Sequence, residues 1–173
     1  MRVRVRAAPR EGRYRLRLAM AGNLDTQQIE ILGRAALTAE LMGDGLEVAQ
    51  PDRDAGIDLV AFTVSPWRAV PIQMKVASGA AFSVHRKYER LDRLVMAYVW
   101  NAGRGADAEF YAMPWNTARD IAHELGWTST KSWQRDPHRG GYGTTRPSAR
   151  VREAIAPHRM GAGRWRELLV SVP

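Results

Sequence analysis

The sequence predicts an α/β fold, because helix-like and strand-like hydrophobic patterns alternate along the chain. Residues 26–42 carry apolar side chains at helical spacing. Residues 57–64 (I-D-L-V-A-F-T-V) are almost continuously apolar, which is typical of a strand buried on both faces. A chain of 173 residues is long enough for one domain with a substantial core. We therefore expect a central sheet covered by helices.

The first helix is predicted to begin near Thr26 and to end at Met42. Ile29 and Leu32 lie on its apolar stripe, and the segment 43–45 (G-D-G) ends it. Five strands follow from the apolar runs and the turn residues that separate them. They are 46–49, 57–64, 71–77, 94–100 and 108–113.

The glycine-rich segment 101–105 suits a hairpin between the last two strands, and a second helix is expected over residues 116–125. Residues 21–127 thus form the predicted core. Residues 1–20 alternate Arg with Val, Tyr or Leu, which fits either a basic arm or an edge strand with one basic face. Residues 128–173 are polar and basic, and we expect an irregular extension packed on the core, with short helices near its end.

The charge balance indicates a polyanionic partner. The chain has 26 Lys and Arg against 18 Asp and Glu, for a net charge of +8. Arginine supplies almost all of this charge, so the codon bias of a GC-rich genome is an alternative explanation. No cysteine is present, which excludes disulfides and thiolate metal sites. The start of the sequence lacks a signal-peptide core and no apolar run has membrane-spanning length, so we expect a cytoplasmic protein with no membrane partner.

Three polar residues interrupt two of the predicted strands. Asp58 lies near the start of one strand, and Gln73 and Lys75 stand two apart in the next. Side chains at positions i and i+2 of a strand point to the same face, so the three groups can meet if the strands pair. Asp58 would otherwise cap the preceding turn, and Gln73 and Lys75 would lie on a solvated face. A carboxylate, an amide oxygen and an ammonium that do meet would suit a hard cation and an activated water.

This arrangement resembles the PD-(D/E)XK nuclease superfamily, and most of all its Holliday junction resolvase and homing endonuclease-like group. The matching segments cover roughly residues 25–125, and a group of bacterial proteins shares Q-I-E-I-L-G-R and P-I-Q-M-K. The segments are a Glu-bearing helix at 28–41, G-L-E-V at 45–48, G-I-D-L-V at 56–60 and I-Q-M-K at 72–75. The resemblance implies a restriction-endonuclease-like αβββαβ core with a mixed central sheet flanked by helices.

The resemblance also implies roles for individual residues. Asp58, Gln73 and the backbone carbonyl of Met74 would bind Mg²⁺ or Mn²⁺. Lys75 would orient the attacking water and help to lower its pKa, or would stabilise the charge that grows on the phosphate. Glu30 is the first candidate for the helix-borne catalytic Glu, with Glu40 as the second. Many family members carry Glu where this chain has Gln73, and the missing charge should weaken cation binding.

Basic residues provide candidate contacts to nucleic acid. His85, Arg86 and Lys87 follow the strand that carries Lys75 and would meet the backbone of a substrate in this fold. Arg135, Arg139 and Arg146 interleave with aromatic residues in a glycine-rich segment that could track a phosphate chain. The tryptophans of that segment would alternatively anchor it to the core.

The sequence therefore predicts a metal-dependent endonuclease that hydrolyses phosphodiester bonds in DNA, with RNA as the alternative substrate. A homodimer is compatible with this function, because cutting both strands of a duplex needs two sites. The other hypothesis is a catalytically inactive nucleic-acid-binding protein on the same fold.

Overall fold

The computed structural model describes residues 24–53, 55–136 and 138–172. The arm or edge strand predicted for residues 1–20 lies outside the described residues. The helices are α1 (Thr26–Gly43), α2 (Trp115–Glu124), α3 (Ala149–Ile155) and α4 (Arg164–Ser171). The strands are β1 (Glu47–Ala49), β2 (Leu59–Val64), β3 (Trp67–Val76), β4 (Phe82–His85), β5 (Val95–Trp100), β6 (Glu109–Pro114) and β7 (Gly141–Thr144).

Helix α1 begins and ends where its sequence signals predict. Asp25 is the N-cap, and its carboxylate accepts a hydrogen bond from the backbone N–H of Gln28 at 2.8 Å. Leu37 and Leu41 are fully buried on the face that packs against the sheet. The backbone turns after the helix at Gly45, whose φ of +74° favours glycine.

A five-stranded mixed sheet forms the centre of the protein, in the order β1-β2-β3-β5-β6. All neighbouring strands are antiparallel except β3 and β5, which are parallel. The registers Leu59↔Ile72 and Ile72↔Val95 place these three residues on one face. The predicted α/β fold with a mixed sheet flanked by helices is confirmed.

The connection from β3 to β5 differs from the predicted αβββαβ order. That order requires a helix between the third and fourth strands of the core. Residues 77–94 contain instead β4 and a single 3₁₀ turn at Arg86–Tyr88, so the second helix of the predicted core is wrong for this connection. A parallel pair needs a crossover of a dozen or more residues, but a strand and a turn meet this requirement as well as a helix does.

Two apolar clusters cover the two faces of the sheet. On one face α1 and α4 pack against β2, β3 and β5, and Leu37, Ile72 and Trp165 are fully buried there. Where α1 faces β3, a Cβ on Gly33 would overlap the side chain of Val76. The other face carries α2, α3 and the small sheet of β4 and β7, with Tyr98 among its fully buried residues.

Strand β7 was not predicted, because its sequence G-Y-G-T has low strand propensity. It pairs antiparallel with β4, from His85↔Gly141 to Phe82↔Thr144. A Cβ on Gly143 would overlap Ser83, so the glycine allows the two strands to approach closely. Residues 128–173, predicted as an irregular extension, thus contain β7 as well as α3 and α4.

Candidate active site

Asp58 lies at the end of the β2/β3 ladder, and both its backbone and its side chain form hydrogen bonds to β3. The backbone N–H of Asp58 donates to the carbonyl oxygen of Ile72 at 2.8 Å, which fixes the residue against β3. Its carboxylate then accepts a hydrogen bond from the backbone N–H of Met74 at 2.6 Å and another from the side-chain amide of Gln73. Gln73 and Met74 therefore hold the carboxylate on β3.

Gln73 is a polar residue with only 6 % of its surface exposed. Its NH₂ group donates both to the Asp58 carboxylate and to the backbone carbonyl of Met74, the latter at 3.0 Å. Burying an amide without partners is unfavourable, and these two bonds satisfy its NH₂ group. The solvated-face alternative is excluded for Gln73, because the side chain is buried and bonded within the protein.

Lys75 shares the Gln73 face of β3, where it stands opposite Tyr98 of β5 while Gln73 stands opposite Met96. Its ammonium donates a hydrogen bond to the hydroxyl of Tyr88 at 2.9 Å. The structure therefore brings Asp58, Gln73 and Lys75 to one face at one end of the β2/β3 ladder.

A cavity of about 330 Å³ opens over these residues. Asp58, Gln73, Met74 and Lys75 line it together with Glu30 of α1. Glu30 is exposed and forms an ion pair with Arg34 at 2.7 Å, as its spacing on the helix allows. Glu40 does not line this cavity, so Glu30 is the predicted helix-borne carboxylate that the fold brings to the site.

The oxygen atoms at the site fit a weakly held Mg²⁺. Among the described residues, no group of three or more His, Cys, Asp and Glu side chains could hold a metal ion. The donor set is instead one carboxylate from Asp58, the amide of Gln73 and the carbonyl of Met74. Mg²⁺ in proteins is commonly held by one or two carboxylates, with water and substrate phosphate as the remaining ligands. The set lacks the nitrogen ligands typical of zinc.

Two cationic side chains, Lys75 and Lys87, line the cavity. The Lys87 ammonium lies 4.9 Å from the centroid of the Tyr88 ring, which the Lys75 ammonium approaches at 5.1 Å. Burial lowers the pKa of His85 below its usual value of 6.5, and the charges of Lys75 and Lys87 lower it further. His85 is thus neutral near pH 7, and the lysines supply the positive charge at the cavity.

The predicted nucleic-acid contacts separate into two places. Arg86 reaches the loop before β7, where its guanidinium donates to the carbonyl of Arg135 at 3.4 Å, and its backbone N–H bonds to Gly140. Arg135 and Arg139 are exposed in the same loop, beside the end of β4 that carries His85. Arg146 follows the other end of β7 and lies away from this group.

The tryptophans near these arginines belong to the core. Trp127 and Trp133 are buried in the cluster on the β4/β7 side of the sheet, so the anchoring interpretation holds for both. Tyr142 is exposed and packs against Trp127, with 4.8 Å between the ring centroids. Of the three aromatic residues, only Tyr142 remains available for stacking on a base.

Tyr88 follows His85, Arg86 and Lys87 in the basic cluster of the sequence, but the sequence interpretation assigned it no role of its own. It is 2 % exposed and lines the cavity between Lys75 and Lys87. No sequence spacing relates it to Lys75, because the irregular segment between β4 and β5 determines where it lies. A tyrosine inside the basic group R-K-Y was the available signal, and it is a weak one.

No family model, curated protein or solved structure matches this chain. The resemblance to the PD-(D/E)XK nucleases therefore stays a prediction, carried by the residues that meet in the cavity. None of the helices in the described parts of the chain is both long enough and apolar enough to cross a bilayer.

Proposed function

We propose that this protein is a metal-dependent endonuclease that hydrolyses phosphodiester bonds in DNA, on a restriction-endonuclease-like core. The observation that carries the proposal is the meeting of the Asp58 carboxylate, the Gln73 amide and the Met74 carbonyl beside Lys75 in one cavity. These oxygen ligands and the ammonium are groups suited to stabilise a phosphodiester under attack by water. The net charge of +8 favours a polyanionic substrate.

Asp58, Gln73 and the Met74 carbonyl are the residues that would hold Mg²⁺ or Mn²⁺. When bound, the cation would polarise the phosphodiester and lower the pKa of a water ligand. The Gln73 amide must first rotate to direct its oxygen at the cation, because its NH₂ group now donates to the Asp58 carboxylate and the Met74 carbonyl. Gln73 also supplies one negative charge fewer than Glu would, so we expect cation binding to depend on the substrate phosphate.

Lys75 and Glu30 would act on the attacking water and the phosphate. The ammonium of Lys75 would offset the negative charge that grows on the phosphate oxygens during attack. It also provides a donor that can orient the water. Glu30, at the rim of the same cavity, is a second carboxylate available to accept the proton that the water loses.

Basic residues beside the site would bind the substrate backbone. Arg86, Lys87, Arg135 and Arg139 lie near the His85 end of the β4/β7 sheet, and Lys87 also lines the cavity. His85 adds a polar contact there but no charge near pH 7, and Arg146 would meet only a substrate that extends along the small sheet. The proposal includes a cytoplasmic location, DNA in preference to RNA, and a homodimer for double-strand cleavage.

A catalytically inactive nucleic-acid-binding protein is the second candidate. It is favoured by the NH₂ group of Gln73, which satisfies both the Asp58 carboxylate and the Met74 carbonyl without a cation. The crossover through β4 also departs from the αβββαβ order of the resembled fold. Such a protein would bind DNA through the same basic residues and cleave nothing.

Nicking of supercoiled plasmid in the presence of Mg²⁺ or Mn²⁺ separates the two candidates. We expect the wild type to nick the plasmid and EDTA to stop it. Asp58→Ala and Lys75→Ala should each reduce the rate by at least about 100-fold, because each removes a group that stabilises the transition state. Asp107→Ala is the matched control, because Asp107 is exposed in the loop between β5 and β6.

Equal nicking by all four proteins would indicate a contaminant and overturn the enzyme proposal. Binding to DNA without nicking, under both metals, would favour the inactive binding protein. A labelled single-stranded RNA in the same assay decides between the two kinds of nucleic acid, since faster cleavage of RNA would contradict the choice of DNA.

A further inference from the structure

Tyr88 occupies a position between the two charged parts of the candidate site. It ends the 3₁₀ turn Arg86–Tyr88 and is almost completely buried. Its hydroxyl accepts the hydrogen bond from Lys75 at 2.9 Å. The side chain of a lysine has many rotamers, and a fixed acceptor selects the few that place the ammonium at the cavity.

Tyr88 also supports the turn that leads into Asp58. Gly56 in that turn has φ +91°, and a Cβ there would lie 3.4 Å from the Tyr88 ring and 3.4 Å from Leu91. The next part of the same segment holds the turn as well, because the Arg90 guanidinium donates to the carbonyl of Ala55 at 3.2 Å. The Tyr88 ring therefore packs against the backbone that carries the carboxylate, while its hydroxyl bonds to the ammonium.

We propose that Tyr88 is a positioning residue that holds the Lys75 ammonium and the Asp58 turn in a fixed relation at the cavity. The proposal rests on the proposed function for its catalytic consequence, but not for its structural claim. Lys75 is the group that acts on the substrate, and Tyr88 acts through it. Both lysine ammoniums approach the ring of Tyr88, and the Lys75 ammonium also donates to its hydroxyl.

Tyr88→Phe tests this role, because it keeps the ring that packs on Gly56 and removes only the hydroxyl. We expect kcat for plasmid nicking to fall about 10- to 100-fold, as is usual when a supporting hydrogen bond is lost, with KM for DNA changed less than about threefold. Tyr111→Phe is the matched control. It also deletes a hydroxyl with an internal partner, here Glu109 at 2.7 Å, but away from Lys75.

NMR of the lysine side chains gives a second measurement that needs no activity. The chain has three lysines, Lys75, Lys87 and Lys131, so a protein labelled with ¹³C and ¹⁵N lysine gives few signals. In the wild type the two ε-protons of Lys75 should be inequivalent because the ammonium is held. In Tyr88→Phe the difference between their chemical shifts should decrease, whereas exposed Lys131 should be averaged in both proteins.

Each outcome decides one of the two proposals. Unchanged Lys75 signals in Tyr88→Phe would overturn the positioning role, whatever the activity. Changed Lys75 signals with unchanged kcat would leave the hydrogen bond real and refute its contribution to cleavage. Absence of nicking by the wild type would refute the proposed function, and the NMR comparison would still decide whether Tyr88 holds Lys75.

Discussion

The two faces of β3 lie in opposite environments although they belong to one strand. On one face Ile72 and Met74 pack under α1 and α4 in an apolar cluster. On the other face Gln73 is as buried as a core residue but polar, and Lys75 follows it. Polar groups in such a place are unfavourable unless they are paired, and here Asp58 and Tyr88 provide partners. One face of the strand stabilises the fold, whereas the other holds the polar groups of the candidate site in position.

The apolar face should account for the larger effect on stability. Ile72→Ala would leave a cavity between the sheet and its covering helices, and we expect the free energy of unfolding to fall by about 2–5 kcal/mol. Urea denaturation followed by circular dichroism measures this change. Val64→Ala, on the same hairpin but 68 % exposed, should change it by less than about 0.5 kcal/mol. A loss below about 1 kcal/mol for Ile72→Ala would mean that this face is not the main core.

The polar face should respond to charge more than to volume. Gln73→Glu places a second carboxylate where the amide now donates to Asp58, so the metal-free protein should lose about 1–3 kcal/mol of stability at pH 7. Mn²⁺ should restore stability, and titration calorimetry should show cation affinity about tenfold above that of the wild type. Gln73→Met, which has similar volume and no charge, should lose stability without any gain from Mn²⁺. An equally stable Gln73→Glu protein without metal would contradict the hydrogen-bonded arrangement.

The smallest expected effect is the pH dependence from His85 at the edge of the polar face. Burial lowers its folded pKa below 6.5, so the unfolded chain binds a proton at a higher pH than the folded protein does. The stability that neutral His85 contributes should therefore be fully present above pH 6.5, and it should be lost as the pH drops through the folded pKa. His85→Gln should make the melting temperature decline less between pH 7 and pH 5. The pKa of His158 is also lowered by burial, so His158→Gln should remove a separate part of the decline; no change in either variant would contradict the shifts.

The strand pattern was sufficient to predict the polar face. Side chains alternate along a strand, so Gln73 and Lys75 had to share a face once β3 formed. The apolar strand predicted at 57–64 had to pair with another strand to be buried. Helix α1 was equally predictable, because its N-cap and its terminal glycines are local signals. Local chemistry specifies these features, and the rest of the fold does not change them.

The parts that could not be predicted depend on contacts distant in sequence. Strand β7 forms because Gly141 and Gly143 permit close approach to β4, and glycine by itself predicts a turn as readily. Tyr88 reaches Lys75 only because of the path that the chain takes after β4. The helix expected in that connection came from the family resemblance and not from the residues, which carry no helical periodicity there.

The contact of Gly33 with Val76 has a consequence for the opening of the cavity. Glu30 lies one helical turn before Gly33. The distance between α1 and β3 therefore also determines the position of the Glu30 carboxylate at the cavity. The methyl group of an alanine at position 33 would overlap the Val76 side chain. Either the Val76 side chain or the helix would have to shift, and a shift of the helix would move Glu30 relative to the cavity.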